Sequence, residues 1–242
     1  MMRPRFRLVA GPNGSGKTTL VKSLVRDYAV KFHDMLNADD IFAEVRSSFR
    51  FAPRILVEED SLLSFARASS YPAEVRRQFE DGGIRIASGI VRFRSQSCVN
   101  SYTVALLTGF LQSEYIRRGI SFSQETVFSH PSKVDALAAA KDAGFRTYLY
   151  FVATDNPDVN VARVSARSRI GGHGVPAEKV VSRYARSLGN VASAIPHLSR
   201  AFFFDNGGAS MSYLASWDSE CGMTLRTPLC DAPMWFRSIA QR

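Results

Sequence analysis

Apolar positions fall into two spacings along the chain. Residues 5–10 (RFRLVA) form a short run suited to a strand, after which Leu20, Leu24 and Val25 recur at a helical interval. Residues 31–37 predict a second strand, followed by an amphipathic helix carrying Ile41, Phe42 and Val45. Pro53 and Pro72 open two helical stretches, 54–68 and 73–79, and Gly82-Gly83 ends the second. Ile84, Ile86, Ile90, Val91 and Phe93 intersperse with Arg85, Arg92 and Arg94, an alternation closer to strand than to helix. Residues 101–118 read as a helix, 120–126 as a strand, and 132–143 as a helix closed by Gly144. The continuous apolar run 147–153 suits a central parallel strand buried on both faces. A helix over 159–169 and a second carrying Arg183 and Arg186 flank Gly171-Gly172-His173-Gly174-Val175-Pro176. Residues 201–204 give a last core strand. A short edge strand after Ser210 and a tail around Trp217 and Trp235 complete the pattern, and the tail's chemistry is silent.

Strands alternating with helices predict an α/β fold with a doubly wound, mostly parallel sheet. The 242 residues suit a single domain over 1–242, with 51–100 as an inserted subdomain and 170–176 as a hinge between two helices. The chain is 45% hydrophobic and 22% charged, an ordinary globular composition that excludes disorder and collagen. Its net charge of +9 selects a negative partner without choosing one. The basic residues are scattered, which weighs against nucleic acid, and the Ile/Arg alternation reads as an amphipathic hairpin on the insertion rather than a nucleic-acid face. Cys98, Cys221 and Cys230 show no CxxC spacing, and His33, His130, His173 and His197 no metal-ligand spacing, so neither a disulfide framework nor a structural metal is expected. The greasy segment 103–111 is far too short to span a bilayer, and the apolar stretch 6–10 too short for a secretory signal. The expectation is a cytoplasmic protein with no membrane partner.

The chemistry concentrates in Gly11-Pro12-Asn13-Gly14-Ser15-Gly16-Lys17-Thr18-Thr19, which sits between the first strand and the first helix. This is GxxxxGK[ST], the P-loop. Its glycines let successive N–H groups turn inward onto phosphate oxygens, Lys17 reaches the β- and γ-phosphates, and the Thr18 hydroxyl ligates Mg²⁺. Gly11, Asn13, Gly14, Ser15, Gly16, Lys17, Thr18 and Thr19 are therefore the candidate ATP-binding residues, with ATP and Mg²⁺ as the implied cofactors. Neither an NKxD guanine-reading tetrapeptide nor an LSGGQ-like signature occurs, which argues against GTPases and ABC-type ATPases.

Acids lie where strands end. Asp39 and Asp40 follow the second strand, in a sheet whose ligand crevice is expected at the carboxyl ends of the strands. Capping is assigned to Asp40 and chemistry to Asp39. Glu125 and Thr126 close the 120–126 strand. Arg163 and Arg167 share a helix face at i and i+4, and with the glycine hinge and the following helix they read as a phosphate-covering lid.

With these segments in order, the chain resembles the zeta-toxin family of P-loop kinases, more closely its chromosomal, stand-alone branch. The matching residues are 11–19, 37–41, 121–134 (SFSQETVFSHPSKV), 148–154, 160–184 (NVARVSARSRIGGHGVPAEKVVSRY) and 203–206. The resemblance implies a shikimate-kinase-like core that transfers the ATP γ-phosphoryl group to a hydroxyl, in the studied toxins that of UDP-N-acetylglucosamine. It implies Lys17 and Thr18 at the nucleotide, Asp39 as the base, Arg163 as a charge-stabilising arginine, and Glu125 and Thr126 near substrate. The second lid arginine is Arg167, Arg169 or Arg183. Glu125 and Thr126 are adjacent here, where the toxins separate the acid and the hydroxyl by one residue, so the two side chains should point to opposite sides of the strand.

The sequence therefore reads as an ATP-dependent small-molecule kinase acting on a small anionic substrate such as a nucleotide sugar, with catalytic residues Asp39, Lys17, Arg163 and Arg167 and substrate residues Glu125, Thr126 and Arg183. An antitoxin partner is compatible with the resemblance but has no residue signature. The rival reading is a regulatory or nucleic-acid-associated P-loop ATPase with Asp155 as its metal-facing acid. The Asn156-Pro157 that follows instead explains Asp155 as a helix cap.

Overall fold

A computed structural model describes residues 3–169 and 174–241; the expected hinge residues 170–173, His173 among them, lie outside the described residues. In chain order the elements are β1 (Arg5–Ala10), α1 (Lys17–Tyr28), β2 (Met35–Asn37), α2 (Ala38–Ser48), β3 (Arg50–Phe51), α3 (Glu59–Ala68), α4 (Ala73–Glu80), β4 (Ile84–Ala87), β5 (Ile90–Phe93), α5 (Ser101–Arg117), β6 (Phe122–Thr126), α6 (Ser132–Asp142), β7 (Arg146–Ala153), α7 (Pro157–Arg169), α8 (Ala177–Ala194), β8 (Arg200–Asp205), β9 (Ser212–Asp218), β10 (Gly222–Leu225) and α9 (Met234–Ala240). They form two compact units, one of residues 1–33 and 121–242 and the other of residues 34–120. No helix among the described residues is long and apolar enough to cross a membrane.

In the first unit the sheet runs β10-β9-β8-β7-β1-β6. β1 pairs in parallel with β6 and β7, and β7 in parallel with β8, while β9 and β10 add antiparallel strands at one side. This is the expected α/β fold with a mostly parallel sheet. Helices cover both faces because both carry apolar side chains. Val9, Tyr150 and Val152 pack with Leu20 and Leu24 of α1, whereas the rings of Phe151 and Phe203 meet Trp235 and Phe236 of α9 at 5.7 and 5.4 Å. β7, with five of its eight residues wholly excluded from water at 0% exposure and neighbours on either side, is the central strand that its composition predicted.

The second unit is built around α5. Its apolar positions run round the helix rather than along one stripe, and Val104, Leu106, Leu107, Phe110, Leu111 and Tyr115 are all buried. Asn100 fixes its start by accepting from the Tyr102 and Thr103 amides at 3.0 Å, while the Asn100 amide donates to Thr103 Oγ1 at 3.1 Å. The buried carboxylate of Glu114 receives Arg117 and Arg118 at 2.8 and 3.1 Å, which holds it below its ordinary range. The arginine-bearing alternation forms the antiparallel hairpin β4–β5, extended by β3 into a sheet of order β3-β5-β4.

Two predicted elements are shorter than expected. The 31–37 strand is only β2, and upstream of it the Phe32 ring makes an edge contact with Tyr150 at 5.6 Å. The 54–68 helix begins at Glu59. Upstream, Ile55 and Val57 are buried while Leu56 is exposed, a period of two that belongs to extended chain, and Glu59 and Asp60 in the first turn suit the positive end of the helix.

Candidate phosphate-binding site

The loop between β1 and α1 has the form that its glycines predict. Gly11 has φ +153°, and a Cβ there would collide with the Val152 carbonyl, so β7 approaches the loop at a distance that only glycine permits. Gly16 starts α1 in the left-handed region at φ +96°, with no side chain capping the helix and no acid in its first turn. The first-turn N–H groups thus face the loop rather than a cap, which makes an anion site. Ser15 Oγ and Asn13 Oδ1 are buried there without a hydrogen-bond partner. Lys17 Nζ folds back over the loop and donates to the Gly11 and Pro12 carbonyls at 3.0 and 3.1 Å.

Two side chains without a role predicted from sequence hold the loop from outside, and a third braces the end of β7. Asn160 of α7, wholly buried, donates from Nδ2 to the Asn13 carbonyl at 2.6 Å and accepts the Thr154 hydroxyl at Oδ1. Asn206, just past β8, donates to the Ser15 carbonyl at 2.9 Å. Tyr184 of α8 donates to the Thr154 carbonyl at 2.6 Å, tying the second arginine-bearing helix to the end of β7. Both asparagines lie in the segments that carry the family resemblance, and Asn206 comes directly after β8.

The expected lid helices are present as α7 and α8. Asn160, Arg163 and Arg167 share one face of α7 by helical spacing, so the arginines sit on the side that grips the loop. Arg163 is half-buried, with Nη1 excluded from water and unpartnered. Arg167 is exposed, and Arg183 of α8 is half-buried.

Glu125 and Thr126 point to opposite faces of β6, as adjacency requires. Glu125 pairs in register with Val9, on the α1 side, and its two carboxylate oxygens each lie 3.3 Å from the Thr18 hydroxyl, which donates to them. Thr126 Oγ1 instead accepts from the Phe128 amide at 3.2 Å. The Thr18–Glu125 pair presents hard oxygen donors of the kind that Mg²⁺ takes. With the cradle that admits no Cβ at Gly11 and the orphaned Ser15 hydroxyl, these residues fit an Mg²⁺-nucleotide.

Asp39 belongs to the second unit. It is exposed in the first turn of α2, and its amide donates to Asn37 Oδ1 at 2.9 Å. The cap of α2 is therefore Asn37 and not Asp40, because Asn37 alone has the extended conformation that a capping residue needs. Asp40 lines a cavity of about 220 Å³ within that unit, with Asp34, Glu44, Arg54 and Tyr115. Burial, then the Asp39 charge, push the Asp40 carboxyl above its ordinary range. Asp155 caps a helix other than the expected one: its Oδ1 accepts from the Trp235 amide of α9 at 3.1 Å, while Asn156 Oδ1 takes the Asp158 amide at 2.8 Å at the start of α7. Trp235 Nε1 also donates to Asp205 at 2.9 Å, so the silent tail braces the ends of β7 and β8.

No family model matches the chain. An uncharacterized protein of Haemophilus influenzae is 32% identical over 69 residues, which span 28% of this chain and 49% of that protein. Among solved structures, a chain of the AvrRxo1-ORF1:AvrRxo1-ORF2 complex is 15% identical over 98% of this chain and 64% of its own length, with a TM-score of 0.57 in the crystals with sulphate ions and 0.53 in those with ATP. A chain of the PezAT chromosomal toxin–antitoxin system of Streptococcus pneumoniae is 12% identical over 93% of this chain and 76% of its own, with a TM-score of 0.51. The chain thus has the fold of the zeta-toxin-like P-loop kinases, and spans about half of the curated relative and under two thirds of the first of these structures.

Proposed function

We propose that the protein is an ATP-dependent phosphotransferase that moves the γ-phosphoryl group to a hydroxyl of a small anionic substrate, a nucleotide sugar such as UDP-N-acetylglucosamine. The observation that carries this reading is the uncapped start of α1 behind a loop with a buried, unpartnered Ser15 hydroxyl and with Thr18 on the Glu125 carboxylate. ATP in the AvrRxo1 complex crystals supports the same nucleotide here. The loop amides and Lys17 would bind the phosphates, Thr18 and Glu125 would hold Mg²⁺, and Asp39 would accept the proton of the attacking hydroxyl. Arg163 and Arg167 neutralise charge on the group in flight, while Arg183 and Thr126 belong to the acceptor side. When bound, Mg²⁺ would supply charge neutralisation at the phosphates. An antitoxin partner is proposed on the strength of the PezAT likeness. The rival ATPase reading needs a metal-facing Asp155, but that carboxylate is engaged by the Trp235 amide.

Incubation with labelled ATP and a panel of nucleotide sugars, nucleosides and oligonucleotides, followed by mass detection, tests the proposal. A phosphorylated nucleotide sugar is expected. Lys17→Ala should abolish ATP binding or turnover, whereas Asp39→Asn should keep ATP affinity and lose transfer. Unchanged transfer kinetics in Asp39→Asn would remove the base assignment.

A further inference from the structure

In the 34–120 unit, the sheet β3-β5-β4 turns Ile84, Ile86, Val91 and Phe93 to the interior. Its other face carries arginine. Arg50 stands opposite Arg92, and Arg92 opposite Arg85, so one row across three strands holds three guanidinium groups. At the spacing of hydrogen-bonded strands the row spans about 10 Å. Arg94 continues the same side two residues beyond Arg92. An open cavity of about 680 Å³ is lined by all four arginines, and Asp81 is the single acid among its lining residues. Among the described residues, none of the four takes part in a salt bridge.

Like charges directly opposite one another destabilise a sheet. Three in register, with no carboxylate shared among them, oppose folding unless an anion lies across them. Arginine's planar fork suits phosphate bidentately. The face offers charge rather than rings, since Phe93 is buried and Phe49 half-buried. Contacts of that kind grip a backbone and do not read bases.

We propose that this face binds the phosphodiester backbone of a single-stranded nucleic acid, independently of base sequence. The surface gives the amphipathic hairpin an occupant for its polar side, and it is separate from the nucleotide loop in the other unit. A flexible strand can lay successive phosphates along the row, whereas an acidic peptide joining a sheet uses backbone pairing at a strand edge.

The test is fluorescence anisotropy of a labelled single-stranded DNA 20-mer with the full chain, between about 50 and 200 mM salt. R50S/R85S/R92S should weaken binding at least about tenfold at the lower salt, and should flatten the slope of log K against log salt by about 2, at about 0.7 per lost phosphate contact. R46S/R67S/R77S removes the same charge from exposed positions off this face, and should leave the slope unchanged. Thermal unfolding of R50S/R85S/R92S should show no loss of stability, since it relieves repulsion. If that variant does not fold, Arg92→Gln alone should flatten the slope by about 0.7. Absence of binding, equal effects of the two triple variants, or stronger competition by poly-glutamate than by unlabelled DNA would overturn the proposal, the last in favour of an acidic protein.

Discussion

The Asn160 side-chain amide donates to the Asn13 carbonyl at 2.6 Å, joining α7 to the phosphate loop across a site that water does not reach. Its other end accepts the Thr154 hydroxyl. Asn160→Ala would leave the buried Asn13 carbonyl short of a partner, at a cost of about 1–3 kcal/mol, whereas the Thr154 hydroxyl keeps the Asn156 carbonyl as an acceptor at 3.1 Å. The expected outcome is a loss of about 1–3 kcal/mol in urea unfolding and at least about tenfold weaker ATP binding, read by calorimetry. ATP affinity equal to the parent's in a folded Asn160→Ala protein would show that the loop holds its shape without α7.

Glu125 faces Thr18, so under the proposed function its removal should act through the metal. Glu125→Gln keeps the shape and a hydrogen-bond acceptor but removes the charge that a divalent cation needs. The Mg²⁺ concentration at half-maximal ATP turnover is expected to rise about tenfold, with a smaller change in the KM for the acceptor. Thr126→Val should have little effect on Mg²⁺ dependence, because Thr126 lies on the opposite face of β6 from Glu125, where its Oγ1 accepts from the Phe128 amide. A Glu125→Gln enzyme with an unaltered Mg²⁺ titration would return Glu125 to the substrate side.

Glycine at position 11 is enforced by the Val152 carbonyl, and glycine at 189 by nothing within 4 Å. Gly11→Ala should therefore destabilise by at least about 2 kcal/mol and abolish nucleotide binding. Gly189→Ala, inside α8, should stabilise by about 0.5–1 kcal/mol. Thermal unfolding of the two variants side by side distinguishes glycine used for geometry from glycine merely tolerated.

What the sequence disclosed follows from how local each feature is. The loop 11–19 is legible because its chemistry lies in one continuous stretch, and β7 because burial on both faces makes 149–153 a continuous apolar run. Asn160 and Asn206 were not, since their partners Asn13 and Ser15 are 147 and 191 residues away in the chain. A buried asparagine side chain has no periodicity to betray it. Asp155 was expected to cap the helix next to it, but the amide it accepts from is 80 residues downstream. The arginine row shows the same boundary from the other side: alternation predicted the β4–β5 hairpin, and only strand register brought Arg50 into line with Arg92 and Arg85.

Lys133 lies in the first turn of α6, where burial pushes its ammonium from 10.5 down to about 8. The helix start, with its partial positive charge, is a further poor setting for a cation. Because the folded pKa is below the unfolded one, the charge opposes folding. Below about pH 8 both states are protonated and the penalty is complete; between about 8 and 10.5 the unfolded chain binds more protons, so stability rises with pH; above about 10.5 the penalty is gone. Lys133→Met should accordingly stabilise the fold at pH 7 by about 1–3 kcal/mol, allowing for solvent screening of a partly exposed group. That advantage should shrink across the same interval, as measured by urea unfolding at pH 7, 9 and 11. Lys133→Arg, which cannot shed its proton, should lose stability relative to the parent as the pH climbs. An advantage of Lys133→Met that is the same at pH 11 as at pH 7 would assign the gain to apolar packing by methionine and not to the removal of a desolvated charge.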